Sequence, residues 1–205
     1  MAKIRNASLA CLTLIALPVG VASAGEETAR AVFGGGCFWC VEEAFDKVEG
    51  VVSTTSGFSG GHVEHPSYEQ VVAGDTGHAE VVEVEYDPGQ VDYAELLYVF
   101  WRNVDPFAEN RQFCDKGESY RSVIFTASEE ERELAEASRD ELTGRFDRRI
   151  ATEINTFEAF YPAEESHQDY YRKNPVRYNF YKSACGREKR LEEVWGDEAG
   201  GLETH

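Results

Sequence analysis

Apolar residues at Val41, Ala44, Phe45 and Val48 recur at helical spacing directly after Cys37-Phe38-Trp39-Cys40. That pattern predicts a helix opening at Cys37, with Gly50 closing it. Ahead of it, Ala29 to Phe33 reads as a strand running into Gly34-Gly35-Gly36, and Val51 to Phe58 as a second strand. Ser67 and Gln70 form a capping box for a short helix that stops at Gly74. From Ala79 to Tyr86 the alternation is strict: Glu80, Val82, Val84 and Tyr86 share one strand face, and Ala79, Val81, Glu83 and Glu85 the other. Asp92 with Glu95 caps a helix whose core stripe is Tyr93, Leu96, Leu97 and Phe100. A polar loop follows, then a strand from Arg121 to Phe125, a helix from Ser128 to Gly144, and an edge strand within Ile150 to Phe157. Glu164 to Arg172 and Arg187 to Trp195 read as short helices. The tyrosine-rich stretch around Pro162 and Pro175 reads as an irregular coil that wraps the domain.

The N-terminal segment has another pattern. Lys3 and Arg5 precede the apolar run Leu9 to Leu17, and Ala22-Ser23-Ala24 has the form of a signal peptidase site. Residues 1–24 are therefore expected to be a cleaved signal peptide, residues 25–196 a single domain, and residues 197–205 a mobile acidic tail. The protein is expected outside the cytoplasm, periplasmic or secreted, without stable membrane insertion after cleavage, since no later run could span a bilayer. The net charge of -18 excludes nucleic acid and anionic lipid as partners held by bulk electrostatics. An aromatic content of 12% argues for a packed core.

Chemistry concentrates at Gly36 to Cys40. A thiol at a helix start meets free N–H groups and the positive end of the dipole, so Cys37 is expected to ionise more readily than a free cysteine. Phe38 and Trp39 offer an apolar wall, and Cys40 lies one turn away. Besides Cys37 and Cys40 the exported chain holds Cys114 and Cys185. Four cysteines are compatible with two structural disulfides. Only one C-x-x-C pair is present, so the spacing does not point to a metal site. Glu80 is either a desolvated carboxyl with a raised pKa, able to carry a proton near neutrality, or a strand end reaching for water. His167, among tyrosines, reads as a hydrogen-bonded packing residue rather than a general base.

Gly36-Cys37-Phe38-Trp39, Gly74-Asp75-Thr76-Gly77-His78-Ala79-Glu80 and Tyr120-Arg121-Ser122, in this order, resemble peptide methionine sulfoxide reductase A. The likeness runs from about Ala31 to Trp195 and takes in His167-Gln168 and Asn174-Pro175. It implies an α+β fold: a two-layer sandwich with a βαββ, ferredoxin-like core and a long coiled C-terminal segment. It also implies reduction of the S epimer of methionine sulfoxide, free or in a protein, through a Cys37 sulfenic acid. By the same resemblance Glu80 protonates the sulfoxide oxygen, Tyr68 and Tyr120 hold that oxygen, Phe38 and Trp39 enclose the S-methyl group, and Asp115 lies near the substrate backbone. No cofactor or metal is implied beyond a thioredoxin-like thiol donor as partner. Three cysteines compete to resolve the sulfenic acid: Cys185, favoured by a flexible tail; Cys40, favoured by proximity; and then Cys114. Two other functions fit parts of the pattern: general thiol-disulfide exchange through Cys37 and Cys40, and a non-catalytic methionine-recognition module with structural cysteines.

Overall fold

The computed structural model describes residues 28–201. The expected signal peptide lies outside the described residues. The chain runs β1 (Ala29–Gly35), α1 (Phe38–Phe45), β2 (Val51–Ser59), α2 (Tyr68–Ala73), β3 (Ala79–Tyr86) and α3 (Tyr93–Arg102). A two-stranded hairpin, β4 (Arg111–Gln112) and β5 (Asp115–Lys116), precedes β6 (Ser122–Thr126) and α4 (Glu129–Phe146). Then come β7 (Glu153–Thr156), β8 (Phe160–Pro162), α5 (Tyr170–Lys173), α6 (Pro175–Ala184) and α7 (Arg187–Trp195). The fold is mixed α+β.

The main sheet has the order β7-β6-β1-β3-β2-β8, antiparallel except for the parallel β6–β7 edge. The face formed by Phe33, Val82, Val84 and Ile124 packs against Phe38, Val41 and Phe45 of α1 and Leu96, Leu97 and Phe100 of α3. Each of these fully buried side chains contributes about 1.5–3 kcal/mol relative to exposure. The opposite face, with Val32, Ala79, Val81, Val123 and Phe125, carries a smaller cluster that Phe157 and Phe160 help to cover. Both expected capping boxes are present: Ser67 with Gln70, and Asp92 with Glu95.

Several boundaries differ from the sequence expectation. Helix α1 ends at Phe45, not near Gly50; Gly50, at φ 92°, sits in the turn into β2 instead. Helix α4 passes Gly144 and ends at Phe146, where Asp147 adopts the left-handed region. The C-terminal segment does wrap the domain, but largely as helices rather than as coil. Pro175 occupies the first turn of α6, where its missing N–H costs nothing, so a residue placed in the irregular coil is a helix start. The stretch read as one helix from Glu164 to Arg172 is a 3₁₀ turn, Glu165–His167, followed by α5.

Nor is the tail free from residue 197. Glu198 accepts hydrogen bonds from Arg102 and Arg145, and the Gly200 N–H donates to the Arg102 carbonyl. Residues 197–201 are docked on α3 and α4 by these contacts, which link positions 53 to 98 residues apart and leave no local signal.

Candidate active site

Cys37 is the N-cap of α1, and the Gly-rich end of β1 delivers it there. Gly36, at φ 85°, is required: a Cβ on it would lie 2.5 Å from the Gln112 side chain, which is itself pinned to both backbone groups of Asp105. The next residue, Phe38, donates its backbone N–H to Glu80 Oε2 at 3.0 Å. Glu80 stands on β3 with the apolar residues of its face and is 1% exposed; its Oε1 has no protein partner. Burial pushes its pKa up to about 8, against the lowering effect of the Phe38 N–H. Of the two readings open from the sequence, the desolvated carboxyl is the one observed.

Tyr68 and Tyr120 come from α2 and from the 3₁₀ turn before β6. Burial, followed by the neighbouring Glu80 charge, pushes Tyr68 up to about 12 and Tyr120 higher, so both remain protonated donors. Phe38 is packed by Phe58, Tyr68 and His167, with ring centroids 5.9, 6.1 and 5.4 Å away. Trp39 stacks on Tyr170 at 3.7 Å and donates its indole N–H to His167 Nδ1. His167 is thus a packing residue that accepts a hydrogen bond, as its surroundings in the sequence suggested.

The two thiols of α1 differ from expectation. Burial pushes the Cys37 thiol well up, and its hydrogen bond to Cys40 and the nearby charges of Cys40 and Glu80 act the same way. Cys40 is the more acidic of the pair, lowered to about 6 chiefly by its hydrogen bond to Cys37 and also by the charges of Arg187 and Lys182. Sequence spacing displays the helix dipole but not the burial or the anionic neighbours, and these outweigh the dipole at Cys37. Behind Cys40, Tyr170 and Tyr178 close a small apolar cluster. The Tyr178 hydroxyl donates to Glu43 Oε2, which also accepts from Lys182.

Cys114 and Cys185 are joined in a disulfide spanning 71 positions, from the β4–β5 hairpin to the end of α6. Cys37 and Cys40 are free and buried. The competition left open by the sequence thereby changes, because Cys185 and Cys114 are bonded to each other and, among the described residues, only Cys40 offers a thiol beside Cys37. Asp115, next to Cys114, points its carboxylate to Tyr181 of α6, which donates at 2.5 Å. Tyr181 and Tyr178 were missed as site residues. Their helical spacing with Cys185 was the available signal, hidden by reading the segment as coil.

The model of the family described as peptide methionine sulfoxide reductase matches residues 29–199. The peptide methionine sulfoxide reductase MsrA of Ligilactobacillus salivarius is 48% identical over 167 residues, covering 80% of this chain and 96% of that protein. The crystal structure of Mxr1 from Saccharomyces cerevisiae in reduced form is similar at TM-score 0.69 and 35% identity, covering 74% of this chain and 88% of that one. Mxr1 in complex with Trx2 is similar at TM-score 0.50 and 26% identity, covering 71% and 86% of the two chains.

Proposed function

The chain belongs to the peptide methionine sulfoxide reductase A family and reduces methionine sulfoxide by thiol chemistry; we propose that it takes the S epimer, with Cys37 as nucleophile, Glu80 as acid and Cys40 as resolving thiol. The observation that carries this reading is the neutral, buried Glu80 tied to the Phe38 N–H, one residue from Cys37. In this arrangement Phe38 and Trp39 receive the S-methyl group, and Tyr68 and Tyr120 donate to the sulfoxide oxygen. Asp115 stands at the rim of the same site. Cys37 attacks the sulfoxide sulfur while Glu80 protonates the oxygen. The sulfur of the substrate is reduced, methionine leaves, and Cys37 holds the oxygen as a sulfenic acid. Cys40 then attacks that sulfur, water leaves, and a Cys37–Cys40 disulfide forms.

A thioredoxin-like dithiol returns the disulfide to two thiols, a partner supported by the Mxr1–Trx2 likeness. The strand order β6-β1-β3-β2 supports reading the core as ferredoxin-like βαββ. An exported location is proposed from Lys3, Arg5, the apolar run and Ala22-Ser23-Ala24 alone. General disulfide exchange would use Cys37 and Cys40 but gives no role to the convergent Glu80, Tyr68 and Tyr120. The test uses peptides bearing each separated sulfoxide epimer, with dithiothreitol and with thioredoxin as reductants. Reduction of the S epimer only, abolished by Cys37→Ser, is expected. Reduction of neither epimer would overturn the reading.

A further inference from the structure

Cys40 borders a second opening, apart from the site built around Cys37. A cleft of about 240 Å³ lies between α1 and α7, lined by Cys40, Ala44 and Lys47 along one face of α1, by Arg187 and Leu191 of α7, and by Gly200 of the docked tail. Neither Cys37 nor Glu80 lines it. Arg187 is 4% exposed. Its guanidinium donates to the Asn103 carbonyl and lies 4.4 Å from the Phe113 ring centroid, but among the described residues it has no carboxylate at ion-pair distance. A buried cation without a counter-charge is costly, and an anion entering the cleft would supply one. The other cations of the cleft are already matched, because Glu43 accepts from Lys47 at 2.9 Å and from Lys182 at 2.8 Å. Glu188 and Glu192 join the lining from exposed positions, so the unmatched buried charge is positive. The cleft is smaller than the about 300–1,000 Å³ of drug-sized ligand sites, which suits one half of a small molecule with the rest in solvent.

We propose that this cleft is a thiolation site: it takes a small disulfide bearing a carboxylate, the carboxylate pairs with Arg187, and Cys40 exchanges with the disulfide sulfur. The Cys40 thiolate attacks one sulfur of the small disulfide. A bond forms between Cys40 and that sulfur, the small molecule's own S–S bond breaks, and its other half leaves with the electron pair as a thiolate that takes a proton from water. The small disulfide is itself the oxidant, so no further co-reactant is needed. The hydrogen bond to Cys37, followed by the charges of Arg187 and Lys182, keeps Cys40 ionised at neutral pH, as the exchange requires. Cys37, held protonated by burial, does not displace the cap. A capped Cys40 cannot attack the Cys37 sulfenic acid, so the enzyme stops after one methionine until a thiol donor removes the cap. That arrest, unlike the site itself, rests on Cys40 being the resolving thiol.

The experiment treats the chain, with Cys37 and Cys40 as free thiols, with dithiodipropionate, hydroxyethyl disulfide or cystamine, which are anionic, neutral and cationic. Mass spectrometry follows the mixed disulfide at Cys40, and each rate is divided by that of a free model thiol with the same probe. The net charge of -18 repels the anionic probe and attracts cystamine, so a preference for the anion reports the local site. Dithiodipropionate is expected to react roughly 10-fold faster than the neutral probe, the lower end for one charged hydrogen bond, and Arg187→Leu is expected to bring that ratio near one. Ala44→Leu, which fills the cleft from α1 and keeps Arg187, serves should Arg187→Leu not fold. It is expected to slow both of these probes roughly 10-fold, the lower end of what overfilling a packed site costs. No preference for the anion, a ratio that Arg187→Leu leaves unchanged, or rates indifferent to Ala44→Leu would overturn the site. Capping at Cys37, or a Cys37–Cys40 disulfide in place of a lasting cap, would overturn it as well. The capped chain is then given the S-epimer peptide, and one equivalent of methionine with an accumulating Cys37 sulfenic acid is expected. Repeated turnover with the cap still in place would overturn the arrest together with the resolving role of Cys40. Failure to cap a chain that still resolves through Cys40 would remove the thiolation site alone.

Discussion

Phe38 donates its backbone N–H to Glu80 at 3.0 Å, which fixes the acid to the helix turn that carries Cys37. The two reacting groups come from elements 43 residues apart in sequence, yet one hydrogen bond sets their spacing. Glu80 keeps a second oxygen, Oε1, without a protein partner and therefore available to a substrate.

Glu80→Gln preserves an acceptor for the Phe38 N–H but removes the transferable proton. Single-turnover reduction is expected to fall by about 10²–10⁴-fold with little change in substrate affinity. In the parent chain the same rate is expected to fall as pH rises through about 8, where Glu80 ionises, and this limb should vanish in Glu80→Gln. Rapid-quench measurements of methionine formed per enzyme across pH 6–10 check both.

Cys40→Ser is expected to release one equivalent of methionine and then stop with thioredoxin as reductant, leaving a Cys37 sulfenic acid that dimedone captures. Cys185→Ser, by contrast, is expected to go on cycling, more slowly, because Cys185 is bonded to Cys114 rather than poised at Cys37. That variant should lose about 2–4 kcal/mol of stability with the disulfide. Repeated turnover by Cys40→Ser would transfer the resolving role elsewhere.

Glu42 predicts a pH-dependent stability effect away from the chemistry. It is 1% exposed on α1, accepts the Asp169 N–H through Oε1, and leaves Oε2 unpaired. Burial raises its pKa to about 7 in the fold, above the value near 4.5 it has when unfolded. The folded state thus holds a proton that the unfolded state has released between these values. Its stability contribution is fully present below pH 4.5 and lost as pH rises through 7. Glu42→Gln should therefore gain roughly 1–3 kcal/mol over the parent at pH 8, and the gain should shrink toward pH 4.5. Urea titrations at the two pH values measure it.

Glu198 has the opposite sign. Its bonds to Arg102 and Arg145 hold the carboxyl down to about 2, so its contribution is present above pH 4.5 and lost as pH falls toward 2. Being partly exposed, it is worth only about 1 kcal/mol. Glu198→Ala should cost that amount at pH 7, close to nothing at pH 2, and speed amide exchange at Gly200 and Gly201. Exchange rates unchanged from the parent would refute the docked tail.

Much of this protein is legible in its amino acids because the deciding forces are local. The strand alternation from Ala79 to Tyr86, the capping boxes at Ser67 and Asp92, and the Gly-rich turn into Cys37 depend on neighbours within a few residues. They set the elements and put Glu80 on the apolar face. What only the tertiary structure decided depends on groups distant in sequence. Cys185 is drawn to Cys114, Tyr181 to Asp115, and Glu198 to Arg102. The ionisation of Cys37 belongs with these: the helix dipole is visible in sequence, but burial and the negative charges beside the thiol exist only once β3 and α1 are packed together, and at that site desolvation is the larger effect.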